Sequence, residues 1–152
     1  IVETMQYLGK TDATRPMLAI LERIYDVLPK YADPETGMWY QVLDQPGREG
    51  NYLESTGSAM FVYAQLKAVR LGYLPKRFRA YGEKAFYGTC DKYLGVNDKG
   101  ELQLSGICLV AGLGGATRRD GSLEYYFSEP VVENDAKGVA PLLLAYTEMI
   151  IQ

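Results

Sequence analysis

Apolar positions recur at helical spacing in five stretches of the chain. Val2, Met5 and Leu8 recur at threes before Gly9, which predicts the closing turns of a helix with a glycine C-cap. A helix that opens a chain without an N-cap reads as truncated. Thr14 followed by Pro16 predicts the start of a second helix. Met17, Ile20, Leu21, Ile24, Tyr25 and Leu28 form its apolar face, and Arg23, Asp26 and Lys30 lie opposite. Pro29 and Asp33-Pro34 end it. A third helix runs from Glu54-Ser55 to about Leu71 with few polar positions, so it is expected to be buried nearly all round. Pro75 opens a fourth helix reaching about Leu94, with Phe78, Tyr81, Ala85 and Tyr93 on one face. Asn134 or Asp135 caps a last helix, Val139 to Ile151, which is apolar almost throughout; Pro141 near its start predicts a late first turn or a kink.

Amphipathic and all-apolar helices thus alternate: wet, buried, wet, buried. A simple bundle makes every helix amphipathic. Alternation is what a double ring shows, with inner helices covered by outer ones. Two long connections, 37–54 and 95–135, are then placed to build a pocket at one end of the ring. In the first, Met38 to Leu43 is extended in character, with Trp39, Gln41 and Leu43 on one side, and Gln45-Pro46-Gly47 turns the chain. In the second, Val96 to Gly100 reads as a turn. The Gly-Leu-Gly-Gly that closes Glu101 to Gly115 lacks the Lys-Ser/Thr of a phosphate loop and points to close backbone packing.

Composition narrows the classes. The 152 residues suit one domain with a sizeable core, and 47% hydrophobic content excludes a disordered chain. A net charge of −3 and the absence of any Lys/Arg cluster argue against nucleic acid as a partner. No apolar run approaches the roughly 20 residues that span a bilayer, so no membrane partner is expected. No secretory signal is read; a cytoplasmic location is favoured, or a periplasmic one if a signal peptide lies upstream. The chain has no histidine, which removes Ser-His and Cys-His triads and most zinc sites. Acid/base work would fall to a carboxylate or a tyrosine. Cys90 and Cys108 are expected as two free, buried thiols rather than a bridge.

Three groups of residues carry candidate chemistry. The chain's single tryptophan, Trp39, stands among Gln41, Asp44 and Glu54; an indole can stack on the apolar face of a pyranose while amides and carboxylates fix its hydroxyls. The same indole fits an aromatic plug closing a helix pair. Asp44 and Glu54 could form an acid–base pair of the glycosidase type, or Glu54 could cap the helix it precedes. Glu129, Asn134 and Asp135 precede an apolar helix, where capping chemistry comes first. Arg118-Arg119-Asp120-Gly121 could fork onto a substrate carboxylate, or be a solvated turn.

Four blocks then resemble a known family. They are Gly37-Met38-Trp39-Tyr40-Gln41-Val42-Leu43-Asp44; Asn51-Tyr52-Leu53-Glu54-Ser55 with Ser58-Ala59-Met60-Phe61; Ala111-Gly112-Leu113-Gly114-Gly115; and Tyr125-Tyr126-Phe127-Ser128-Glu129-Pro130 through Asn134-Asp135-Ala136-Lys137-Gly138-Val139. In this order they look like glycoside hydrolase family 105, the unsaturated rhamnogalacturonyl hydrolases, with the unsaturated glucuronyl hydrolases of family 88 as cousins. The resemblance implies an all-α fold: part of an (α/α)6 barrel, a six-hairpin toroid, with about five helices and two long loops. Residues 1–152 would be the C-terminal part of a single (α/α)6 glycosidase domain.

The implied substrate is an unsaturated uronyl oligosaccharide, carrying a 4,5-unsaturated uronic acid at its non-reducing end. The implied chemistry is hydration of an enol ether: a protonated Asp delivers a proton to C4, water adds at C5, and the hemiketal opens and expels the next sugar. That acid should have a pKa raised by burial. No cofactor or metal is implied. The family's proton donor matches no carboxylate of this chain and is expected upstream of Ile1, so no catalytic residue is assigned and the chain alone is expected to be inactive. Trp39, Gln41 and Asp44 are the family-motif positions expected to bind substrate. A partial ring exposes inner faces, so the expected partners are the missing N-terminal half of the barrel or a second copy. A non-catalytic carbohydrate-binding or structural helical module, or a hydrolase of glycosaminoglycan disaccharides, remains the alternative.

Overall fold

A computed structural model describes residues 1–116 and 119–151. Its α-helices are α1 (Val2–Leu8), α2 (Arg15–Val27), α3 (Ser55–Arg70), α4 (Phe78–Tyr93), α5 (Leu123–Ser128) and α6 (Ala136–Ile150), with a 3-10 turn at Leu28–Tyr31 after α2. Two short antiparallel pairs sit in the second long connection. β1 (Leu94–Val96) pairs with β2 (Leu102–Leu104), and β3 (Ile107–Cys108) with β4 (Val131–Val132).

Helix α3 is the axis of the packing, lying mainly against α4 and α6. Ala59, Val62, Leu66 and Ala68 are buried along it, as the near-absence of polar positions predicts. Two charged ties fix its neighbours. Arg70 forks onto the buried Glu148 of α6, with Nε donating to Oε2 at 2.6 Å and Nη2 to Oε1 at 2.7 Å. Lys67 Nζ donates to Glu3 of α1 at 2.5 Å. Close approach of helix to loop depends on glycine. A Cβ at Gly88 of α4 would lie 2.1 Å from the Thr36 carbonyl oxygen, and one at Gly138 of α6 would lie 2.6 Å from Ile107.

Several expectations are corrected. Thr14 does not cap α2 with its side chain: Oγ1 donates to the Gly9 carbonyl at 2.7 Å and accepts from Thr11 N–H, so it closes the α1–α2 connection instead. Helix α6 begins three residues before Val139, because Asp135 Oδ1 accepts the Lys137 N–H at 2.9 Å; Pro141 then falls in the second turn. The Val96–Gly100 turn stands as read; it is the tip of the β1–β2 hairpin, whose strands show no alternation to announce them. Finally, α6 is not buried all round. Leu143, Leu144, Tyr146 and Ile150 are exposed, as are Ile20, Ile24 and Val27 of α2, because no described helix covers those sides. Cys90 and Cys108 are free thiols, half-buried rather than buried. Among the described residues no helix is long and apolar enough to cross a membrane.

Candidate functional site

The two long connections meet at the N-terminal end of α3. The first is fastened there by its own start. Thr36 donates its N–H and its hydroxyl to Asp33 Oδ2, each at 2.8 Å, and Gly37 (φ +77°) threads past the backbone of Ala85. The chain then runs extended: Gln41 N–H donates to the Tyr52 carbonyl at 2.8 Å and Glu54 N–H to the Trp39 carbonyl at 2.9 Å. Asn51 holds the turn between them, accepting from Val42 N–H and donating to the carbonyls of Val42 and Gln45.

The structure separates the three residues read as a sugar site. Trp39 is in the core, 3% exposed; its Nε1–H donates to the Leu28 carbonyl at 2.8 Å and Phe61 meets its ring edge-on at 5.2 Å. Stacking on a pyranose would require the indole to be uncovered. Gln41 is half-buried and its Nε2 donates to Cys108 Sγ at 3.4 Å. Asp44 is exposed at the loop tip. Glu54 serves its helix and more: Oε1 accepts from Thr56 N–H and Cys108 N–H, each at 3.0 Å, and Oε2 from Gly57 N–H at 2.5 Å. With both oxygens taken by backbone donors, Glu54 is a cap and a clamp rather than one of a catalytic pair.

The second connection supplies the other wall. Ser55 N–H donates to the Gly106 carbonyl, and β3 lies against β4. Gly114 and Arg119 exchange backbone hydrogen bonds at 2.7 and 3.1 Å, closing a small loop; Arg118 lies outside the described residues. Ser122 Oγ then accepts from Tyr125 N–H and starts α5, and Tyr125 Oη accepts from Gly112 N–H at 3.1 Å. A cleft of about 590 Å³ results, lined by Arg119, Asp120, Ser122, Glu124, Tyr125, Ser128 and Glu129. Beyond the Glu54–Cys108 bond, the two loops meet again. Gln41 reaches Cys108, and Gly50 lies so close to Phe127 that a Cβ there would sit 3.1 Å from its side chain.

Electrostatics sort the titratable groups. Burial pushes the Cys108 thiol up, the neighbouring Tyr52 phenol opposes this, and the Glu54 and Glu129 carboxylates add to it. It is therefore held as a thiol, not a nucleophile. Burial first, then Cys108 beside it, pushes the Tyr52 phenol far above its ordinary range. Desolvation and contact with Glu129 raise the Tyr125 phenol, while the neighbouring Arg119 guanidinium opposes them. The resolved carboxyl shifts, at Glu3, Asp33, Asp120 and Asp135, are all downward, opposite to what a proton-donating acid requires. Sequence reasoning missed Tyr52 and Cys108. The contact of Cys108 with Gln41 spans 67 positions and leaves no local pattern.

Helices packed around a central buried helix, with the long loops gathered at one end, define this chain as part of an (α/α)6 barrel of the glycoside hydrolase type. The family model described as Glycosyl Hydrolase Family 88 matches residues 1–151, and the chain belongs to that family. The structure is similar to a Clostridium acetobutylicum glycoside hydrolase from family 105, with a TM-score of 0.92 and 44% identity over 97% of this chain and 41% of that one. It is also similar to a possible family 105 member from Salmonella enterica, with a TM-score of 0.79 and 26% identity over 97% of this chain and 36% of that one. Among curated proteins, Protein Atu3128 of Agrobacterium fabrum and a 24.9 kDa protein in the picA locus of Rhizobium radiobacter are each 46% identical over 123 residues. The match covers 77% of this chain and 53% of each relative, so the chain spans about half the length of the curated relatives it matches. The resemblance read from the four sequence blocks agrees with the family match and with the family 105 neighbours.

Proposed function

We propose that this chain is the C-terminal part of a single (α/α)6 glycosidase domain. Its parent removes a 4,5-unsaturated uronic acid from rhamnogalacturonan-derived oligosaccharides. The observation that carries this is the family match over residues 1–151 together with the 0.92 TM-score to a family 105 structure. In the proposed reaction a carboxylic acid gives its proton to C4 of the enol ether and the oxygen of water bonds to C5. The second proton of that water returns to the carboxylate. The C5 hemiketal then opens by breaking its C5–O5 ring bond, its hydroxyl proton passing to O5, and the hemiacetal left at C1 breaks its bond to the leaving sugar oxygen, which takes the proton. The acid is proposed to lie on parts of the barrel outside this chain: Glu54 and Asp135 cap helices, and hydrogen bonds from Ser122 hold the Asp120 carboxyl below its usual range. This chain would supply one wall of the substrate cleft, with Gln41 and Asp44 at its edge and Trp39 supporting them from the core.

The test is to incubate the full-length protein with an unsaturated uronyl-rhamnose disaccharide and follow the enol-ether absorbance. Loss of that absorbance is expected, and persistence overturns the proposal. Because the matching model is that of family 88, an unsaturated chondroitin or hyaluronan disaccharide belongs beside it as the competing substrate. Faster turnover of the second sugar would move the assignment to that class. This chain by itself is expected to leave both untouched.

A further inference from the structure

The cleft contains a cation without an ion-pair partner among the described residues. Arg119 is half-buried, and the ion pairs of the described residues form at Arg15, Lys67, Arg70, Arg77, Arg79 and Lys137. Its guanidinium lies along bare backbone. A Cβ at Gly112 would stand 3.3 Å from Nη1, and one at Gly115 would stand 3.2 Å from Nη2. Nε donates to the Gly114 carbonyl at 3.4 Å. Gly112 and Gly115 therefore flank this side chain, while Gly114 lends it a carbonyl and is itself required by its φ of +72°. Seated this way, Nε is used for orientation, the Tyr125 phenol lies beside the guanidinium, and its Nη donors have no carboxylate partner among the described residues. A planar fork of this kind matches a carboxylate.

The neighbours narrow the anion further. Asp120 is already engaged with Ser122 N–H at 2.9 Å, whereas Glu124 and Glu129 line the same cleft as acceptors. A dianionic phosphate would face their repulsion. A sugar carrying one carboxylate and several hydroxyls suits the set, with its acid on the arginine and its hydroxyls donating to the glutamates and to Ser122 or Ser128.

We propose that Arg119 reads the carboxylate of the uronic acid and so determines specificity for charged over uncharged sugars. This rests on the glycosidase reading above. It goes beyond that reading by naming the residue and the substrate group it recognises.

The test compares the unsaturated uronyl-rhamnose disaccharide with its methyl ester, using the full-length enzyme and its Arg119→Gln and Arg119→Lys variants. Loss of a charged fork should lower kcat/KM on the acid roughly ten- to hundredfold through KM, and leave the ester nearly unchanged. Arg119→Lys should recover part of the loss, since it keeps the charge but not the fork. An equal fall on both substrates would show that Arg119 merely holds its loop, and no fall would show that the acid is read elsewhere; either overturns the inference. If the unmodified enzyme turns over neither sugar, it is the glycosidase reading that fails. Calorimetric binding of the acid and the ester to the same three proteins then decides the role of Arg119 independently: a preference for the acid that Arg119→Gln does not abolish, or no preference, rejects it.

Discussion

Glu54 shows how much one side chain can hold. Its two carboxylate oxygens accept three backbone N–H groups, two from the first turn of α3 and one from Cys108 in the opposite connection. Replacing it with alanine strands half-buried donors as well as removing a cap, so Glu54→Ala should lose roughly 1–3 kcal/mol of stability. A urea midpoint equal to that of the unmodified protein would contradict this. Gly88 offers a sharper sign test. In a free helix, Gly→Ala gains up to about 1 kcal/mol from propensity. Here the added Cβ would sit 2.1 Å from the Thr36 carbonyl oxygen, a backbone atom that cannot swing aside. Overpacking of this kind costs about 1–3 kcal/mol or more, so Gly88→Ala should destabilise, as read by thermal unfolding.

At the scale of elements, caps and ties decide where segments start and how they meet. Helix α6 starts at Ala136 because Asp135 accepts the Lys137 N–H. The Lys137 ammonium first, and that N–H second, hold the Asp135 carboxyl below its usual range. A depressed folded pKa gives stability that is present above the unfolded value, about 4, and is lost as pH falls through the folded value. Asparagine caps as well as aspartate but does not titrate. The Tm difference between the protein and Asp135→Asn should therefore be steady near neutral pH and shrink below about pH 4; a difference independent of pH would rule out the charged cap. Trp39 plays the tying role for the first connection, joining the 3-10 turn at Leu28 to the extended run before Tyr40. Trp39→Phe removes the indole N–H and leaves the Leu28 carbonyl unpaired, an expected loss of about 1–3 kcal/mol. If Trp39 acts by packing, substrate KM in the full-length enzyme moves with stability rather than ahead of it.

For the molecule as a whole, the open faces matter most. Ile20, Ile24 and Val27 on α2 and Leu143, Leu144 and Ile150 on α6 are exposed in this chain. We propose that the remaining helices of the barrel cover them, since the chain accounts for 41% of the family 105 protein it resembles. Apolar stripes of this kind rarely stay in water. Expressed alone, the chain should migrate by size exclusion with light scattering above its 17.0 kDa, and Leu143→Lys with Ile150→Lys should shift it toward monomer. A monodisperse unmodified monomer would count against the proposal.

Periodicity alone gave the helices around Leu21, Leu66, Ala85 and Ala145, because a one-sided or all-round apolar pattern has few other ways to be buried. The four motif blocks pointed to the family for a different reason: they hold the glycines of tight approaches, such as Gly37 and Gly138, and the capping residues Glu54 and Asp135. What the chain order did not show was which polar groups would meet. Gln41 finds Cys108 across 67 residues, and Tyr125 finds Gly112 only after two loops fold back. Tertiary structure also turned Trp39 inward and Arg119 into a cleft. Each outcome depends on which neighbour desolvates the side chain first, and that is set by packing among distant segments rather than by the residues beside it.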